Sequence, residues 1–199
     1  MSRPHCPRCT RPLSHCLCAL IPSLPSRSRV LLLQHPSESG HALNTARLAA
    51  LGLQNAELLA GERFEELGEH LGDARYRACL LFPGDDAEVL SADTPRDDPR
   101  PTLLVVPDGT WRKARKLLYL NPELSALPRL VLPDGMSSRY RLRKAPVAGA
   151  LSTLEAVVTA LNLLESPARF DALLRPFERL IDGQIEAMGE DTFRRNHAP

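Results

Sequence analysis

Apolar residues recur along the chain in short continuous runs, each closed by a polar or proline-containing turn. SRVLLLQHP, AELLAG, RACLLFPG, TLLVVPDG and PRLVLP read in this way as five nearly continuously apolar strands, the first of them buried. Between them, ALNTARLAALGL, FEELGEHL and WRKARKLLYL carry their apolar residues at helical spacing, and DDAEVL opens with acids suited to a helix N-terminus. LSTLEAVVTALNLLE offers Ser152 or Thr153 as an N-cap and continues as a long amphipathic helix. ARFDALLRPFERLIDGQIEAMG predicts a last helical pair interrupted near Pro176. Helices alternating with nearly continuously apolar strands predict an α/β fold, a mostly parallel sheet flanked by helices. Ligands of such sheets bind at the carboxyl ends of the strands. A site is therefore expected at the turns Gln34-His35-Pro36, Pro83-Gly84-Asp85, Asp108-Gly109-Thr110 and Leu132-Pro133.

Composition limits the class without naming a function. The 199 residues suffice for one sizeable core and a small appended module. At 43% hydrophobic and 25% charged the chain has a globular composition, and no apolar stretch is long enough to span a bilayer. The start, MSRPHCPRC, has no apolar segment of a secretory signal, so the expected location is cytoplasmic, with no membrane partner and no obligate protein partner. The sequence contains no internal repeat, dinucleotide-binding glycine fingerprint, phosphate-binding loop or hydrolase nucleophile elbow. The net charge of +1 conceals segregation: residues 57–98 hold twelve acids against four arginines, while 112–144 hold nine cations against two acids. Acidic runs are ordinarily solvated faces. Basic segments beside a candidate strand-end site point instead to a polyanionic partner.

Four of the five cysteines, Cys6, Cys9, Cys16 and Cys18, lie within thirteen residues in CPRCTRPLSHCLC. Four thiolates would complete a tetrahedral structural zinc site, while disulfides and unligated thiols are the other readings. The C-x-C pair is tighter than the usual spacing, and His5 and His15 stand nearby as substitute ligands. This divides the chain into a cysteine-rich zinc knuckle over 1–25 and a catalytic domain over 26–199. Cys79, inside ACLLF, reads as a small buried hydrophobe.

In PDGTWRKARK the fourth strand ends in an acid, passes the only tryptophan and enters a helix with four cations in five positions. Asp108 would be an N-cap of that helix or, if desolvated beside Trp111, a base of raised pKa. Thr110 would cap the helix or hydrogen-bond a ligand, and Trp111 would pack in the core or wall a pocket. Asp108-Gly109-Thr110-Trp111 resembles the D-x-T-W signature of the DTW-domain family. LLLQHPSE, NTARL, LFPGDDAEVL, NPELSALPRLVL, SRYRLRKAP, LSTLEAV and the cysteine pairs resemble that family in order, over roughly 6–165.

The resemblance implies a tRNA-uridine aminocarboxypropyltransferase that moves the 3-amino-3-carboxypropyl group of S-adenosylmethionine to uridine N3. It also implies a SPOUT-like α/β fold with a C-terminal trefoil knot, which periodicity alone would not suggest. In it Asp108 would be catalytic, and Ser152, Thr153 and Glu155 would close the cofactor pocket. Pro83, Gly84, Thr110, Trp111 and Leu132 complete the expected cofactor-binding set. Arg112, Lys113, Arg115 and Lys116 on the helix, and the loop Arg139, Tyr140, Arg141, Arg143 and Lys144, would bind tRNA, with Tyr140 stacking on a base. His35 reads as a structural turn residue, and Arg47 as a candidate for RNA or carboxylate binding. A SAM-dependent RNA methyltransferase, a non-catalytic zinc-knuckle RNA-binding protein and an rRNA substrate are the alternatives.

Overall fold

The computed structural model describes residues 4–41, 43–93, 98–139 and 151–189, together with 192, 193 and 195. Six strands form one all-parallel sheet: β1 (Arg29–Gln34), β2 (Ala56–Ala60), β3 (Arg77–Leu81), β4 (Glu88–Val89), β5 (Thr102–Asp108) and β6 (Arg129–Val131). Their order is β2-β1-β5-β3-β6-β4, which places β1 and β5 side by side at the interior of the sheet. The helices are α1 (Thr45–Gly52), α2 (Leu67–Leu71), α3 (Trp111–Leu120), α4 (Thr153–Leu164) and α5 (Leu174–Met188).

Alternation along the strands divides the core into two layers. Val30 and Leu32 of β1 and Leu104 and Val106 of β5 face a core completed by α1, α4 and α5. Leu31, Leu33, Leu103 and Val105 face the opposite layer, with Phe64, Leu67 of α2 and Leu117 and Leu118 of α3. Every one of these strand residues is at most 4% exposed, the both-face burial that the apolar runs predict. Cys6, Cys9, Leu17 and Ile21 belong to the first layer, so the N-terminal segment packs into the core of the sheet.

Two elements depart from expectation. DDAEVL does not form a helix: Glu88 and Val89 make a two-residue edge strand on β6, and the Leu90 N–H continues the pairing to the Val131 carbonyl. Of the six residues only Leu90 is buried, too little apolar surface to hold a helix against the sheet. The last helical pair is one helix, α5, entered through the short 3-10 turn Asp171–Leu173. Pro176 sits in its first turn, where no intrahelical N–H is required. The expected trefoil knot depends on the path between β6 and α4, and residues 140–150 of that connection lie outside the described residues. No helix among the described residues is long and apolar enough to cross a membrane.

Gly52 closes α1 where the N-terminal segment, α1 and Leu173 converge. A Cβ there would collide with a methyl of Leu173, itself fully buried, and touch Ile21 and Pro22 at 3.7 Å. In an open helix, Gly→Ala gains about 1 kcal/mol. Here overpacking, about 1–3 kcal/mol, outweighs that gain. Gly52→Ala is expected to lower stability in a denaturant titration by about 1–2 kcal/mol, opposite in sign to the propensity effect.

Candidate active site

The parallel register places Gln34 opposite Asp108 at the carboxyl ends of β1 and β5. Both side chains fall on the face covered by α1 and α4, and both are buried, Asp108 to 8% exposure. Gln34 Nε2 donates to Asp108 Oδ2 at 2.7 Å, and Thr153 Oγ1, in the first turn of α4, donates to Oδ1 at 2.5 Å. Gln34 is fixed in turn by Asn44, the N-cap of α1. Its Nε2 donates to Asn44 Oδ1 at 3.0 Å, and Asn44 Nδ2 returns a bond to Gln34 Oε1 at 3.2 Å. Burial raises the Asp108 pKa above the ordinary carboxylate range, the bonds from Thr153 and Gln34 oppose that rise, and the nearby Glu38 charge adds to it. Asp108 is not a helix cap: Thr110 is, accepting the Lys113 N–H.

A cavity of about 350 Å³ opens over the ends of β3, β5 and β6. Leu81, Val106, Leu130 and Leu132 give it an apolar floor, and Trp111, Thr153, Ala156 and the segment 133–136 form its walls. Its size is that of a small-molecule site. Asp108 does not line it. Thr153 does, so the threonine hydroxyl stands between the cavity and the buried carboxylate. Trp111 is 44% exposed and meets Phe82 edge-to-face, with centroids 5.7 Å apart. It is a cavity wall, not a core residue.

Of the residues expected at a cofactor, Pro83, Trp111, Leu132 and Thr153 line this cavity. Gly84 lines an adjoining groove, where a Cβ would meet the Arg129 guanidinium at 2.5 Å. Thr110 is exposed and committed to capping. Ser152 and Glu155 form a capping box, and the Glu155 carboxylate is saturated. It accepts from the Ser152 N–H, both serine hydroxyls (Ser152 and Ser138) and the Arg139 N–H, tying the segment after β6 to the start of α4. Gln34 lies in one of the turns expected to form the site, whereas Asn44 is a site residue that sequence reasoning does not reach. Its only local signal is a helix N-cap, and its bond to Gln34 appears only once α1 is set on the sheet.

The basic helix separates into paired and unpaired cations. Lys113 Nζ meets Glu38 at 2.6 Å and Lys116 Nζ meets Glu62 at 2.8 Å, whereas Arg112 and Arg115 are exposed and form no ion pair among the described residues. Arg139 pairs with Glu178 at 2.6 Å. Tyr140, Arg141, Arg143 and Lys144 lie outside the described residues. His35 Nε2 contacts Glu62 at 3.0 Å and its Nδ1 accepts from the Ser37 N–H, a turn-stabilising arrangement. Arg47, half-buried on α1, has its Nε buried without a hydrogen-bond partner among the described residues.

At the N-terminus the four sulfurs of Cys6, Cys9, Cys16 and Cys18 lie within 4.8 Å of one another, and neither His5 nor His15 joins the group. Cys6 Sγ and Cys18 Sγ are 3.6 Å apart, and Cys9 Sγ and Cys16 Sγ 3.8 Å. A tetrahedron with metal–sulfur bonds of about 2.3 Å has edges of about 3.8 Å, so the cluster is placed to hold a metal ion. The turn is closed by the Thr10 N–H to the Cys6 carbonyl and the Cys6 N–H to the Arg11 carbonyl, both 2.8 Å. Backbone N–H groups of Cys9 and then Arg8 lower the Cys6 pKa to about 6, while burial and then the neighbouring thiols push Cys18 up to about 12. Four thiolates so close need a cation to coexist.

Residues 3–185 match the family model of the DTW domain, and the chain belongs to that family. Among its relatives is the tRNA-uridine aminocarboxypropyltransferase 2 of Macaca fascicularis, 30% identical over a match covering 98% of this chain and 68% of the relative. The proteins of that name from Mus musculus and Drosophila melanogaster are each 33% identical over 92% of this chain, covering 64% and 76% of their own lengths. No solved structure matches the chain.

Because Cys6 and Cys9 share the buried layer with α1, α4 and α5, loss of the metal is expected to reach beyond the first 25 residues. Purified protein is expected to contain one bound metal ion per chain. Cys9→Ser should reduce that content in elemental analysis and lower the thermal midpoint of the whole domain.

Proposed function

We propose that the protein is a tRNA-uridine aminocarboxypropyltransferase using S-adenosylmethionine and acting at uridine N3. The carrying observation is a buried carboxylate, Asp108, joined through the Thr153 hydroxyl to a strand-end cavity beside a helix whose arginines have no acidic partner among the described residues. The apolar floor and Trp111 wall suit an adenosyl group, and Arg112 and Arg115 suit phosphates. The cysteine cluster is proposed to hold structural zinc, whose bond length its sulfur separations fit. A SPOUT-like trefoil knot completes the proposed fold.

Uridine N3 carries a proton at neutral pH, so its alkylation needs a base. In the proposed path the N3 proton passes to Thr153 Oγ1 as the threonine proton passes to Asp108 Oδ1. The co-substrate supplies the electrophilic carbon, and the electrons of its broken C–S bond remain on sulfur in methylthioadenosine. Gln34 and Asn44 hold the acceptor carboxylate in place. Burial makes that carboxylate a stronger base than an exposed aspartate. The same burial has a stability sign. An acid with a raised folded-state pKa favours folding below the ordinary carboxylate range, and the contribution is lost as pH rises through the raised value. Burial of Asp108 therefore costs stability wherever the carboxylate is ionised.

Incubation with S-adenosylmethionine and unmodified tRNA, followed by nucleoside mass spectrometry, is expected to show a uridine heavier by an aminocarboxypropyl group. A methyl-sized gain, or no gain, would overturn the reading. In Asp108→Asn the amide oxygen can keep the bond from Gln34 Nε2 while its N–H meets Thr153 Oγ1, so the variant should fold with little loss of stability. Transfer should fall about 10²–10⁴-fold and lose the rise with pH that ionisation of Asp108 imposes. Thr153→Val should lose transfer comparably, while Thr153→Ser should retain most of it. Parental rates in Thr153→Val would remove the hydroxyl from the path.

A further inference from the structure

Beside the cavity, on the far side of Trp111, lies an open groove of about 620 Å³. The two share Phe82, Pro83 and Trp111, so the tryptophan is a common wall with one side toward each. Along the groove α3 presents Trp111, Arg115 and Tyr119, at positions i, i+4 and i+8 and therefore on one stripe of the helix. Tyr119 is 85% exposed and Trp111 44%, whereas Ala114, Leu117 and Leu118 fix the opposite side of the helix in the core. Nothing in the packing requires an aromatic ring at Tyr119. Arg115, within the stripe, and Arg112, adjacent to it, are the two cations of α3 without an acidic partner among the described residues. Across the groove Arg129 is anchored to the Pro83 carbonyl at 2.9 Å, and Asp85 is the acid on that wall.

We propose that this groove is a stacking platform for unpaired RNA nucleotides flanking the base held in the cavity, an inference that rests on the proposed function and names the surface its substrate uses. Exposed aromatic rings separated by a cation are the arrangement on which successive bases stack while the guanidinium meets the phosphate between them. The Asp85 carboxylate keeps the phosphates on the α3 side. Trp111 and Tyr119 lie about 12 Å apart along the helix axis, so the platform continues the cavity in one direction. A base pair would hide the faces the rings need. The platform therefore selects single-stranded loop segments over duplex.

Trp111 is the chain's only tryptophan, so its emission reports on the platform directly. Titration of the full chain with a uridine-containing hexaribonucleotide, without the methionine co-substrate, is expected to quench that emission saturably. The same sequence in a duplex should compete poorly. Tyr119→Ala, at an exposed position, should keep the parental melting temperature and weaken hexamer binding about 5- to 100-fold, while Tyr119→Phe should bind like the parent. Arg112→Gln with Arg115→Gln should make the slope of log affinity against log salt shallower by about 0.7 per lost phosphate contact. Equal affinity of parent and Tyr119→Ala, equal competition by duplex, or no binding of the hexamer would each overturn the platform. The transfer assay on tRNA separates this from the reading it rests on. Hexamer binding that depends on Tyr119 in a protein without transfer activity would uphold the platform and sink the enzyme. Transfer by a protein whose hexamer binding ignores Tyr119 would do the reverse.

Discussion

The bond from Gln34 to Asp108 is the constraint on which the site depends. A carboxylate at the end of an interior strand, on its buried face, must be hydrogen-bonded or it destabilises the fold. The parallel register of β1 and β5 supplies one donor by placing an amide directly opposite, and α4 supplies the second through Thr153. Those two bonds fix how α4 meets the sheet, and α4 in turn forms one side of the cavity. Asn44 locks Gln34 while capping α1, so α1, β1, β5 and α4 are held together at one point by polar groups. A fully satisfied polar cluster of this kind fixes geometry at a level apolar packing alone does not.

Around that point the cavity is shaped by two different kinds of force. Its floor is the leucine and valine surface of the strand ends, which would bury itself against any apolar ligand. Its rim is held by the Glu155 carboxylate, which gathers donors from Ser152, Ser138 and Arg139. The helix start and the segment after β6 are therefore tied together through one carboxylate. The ion pairs of Lys113 and Lys116 leave Arg112 and Arg115 as the open charge on α3 among the described residues, so the helix is less uniformly basic in space than along the sequence.

Much of this was legible in the residues. The apolar runs located five of the six strands, because strands of a parallel sheet read as nearly continuous apolar runs even where, as in β2, burial is partial. β4 escaped because a two-residue edge strand has almost no buried surface and its preceding acids read as a helix start. The cysteine spacing indicated one cluster, and the fold brings all four sulfurs together. Asp108 was legible as a strand-end acid, but its capping role went to Thr110, two residues on, where the chain turns into α3. What no local pattern contained was the pairing of Gln34, Asn44 and Thr153 around that acid. Their meeting depends on strand order, which inserts β5 between β1 and β3. The exposed stripe of α3 was likewise hidden, because tyrosine at a polar position and tryptophan at an apolar one have no fixed meaning until the helix is set on its sheet.

The strand order also governs when the site can exist. Gln34 and Asp108 are 74 residues apart in the chain, and Thr153 follows a further 45 residues on. During synthesis from the N-terminus, β1 and β2 can pair early, yet the interior edge of β1 has no neighbour until β5 has emerged. Until α4 arrives as well, Asp108 remains a solvated carboxylate of ordinary acidity. The nascent protein thus carries an open, strongly apolar β1 edge while the 74 residues to Asp108 are added, and gains its basic group only once α4 has followed.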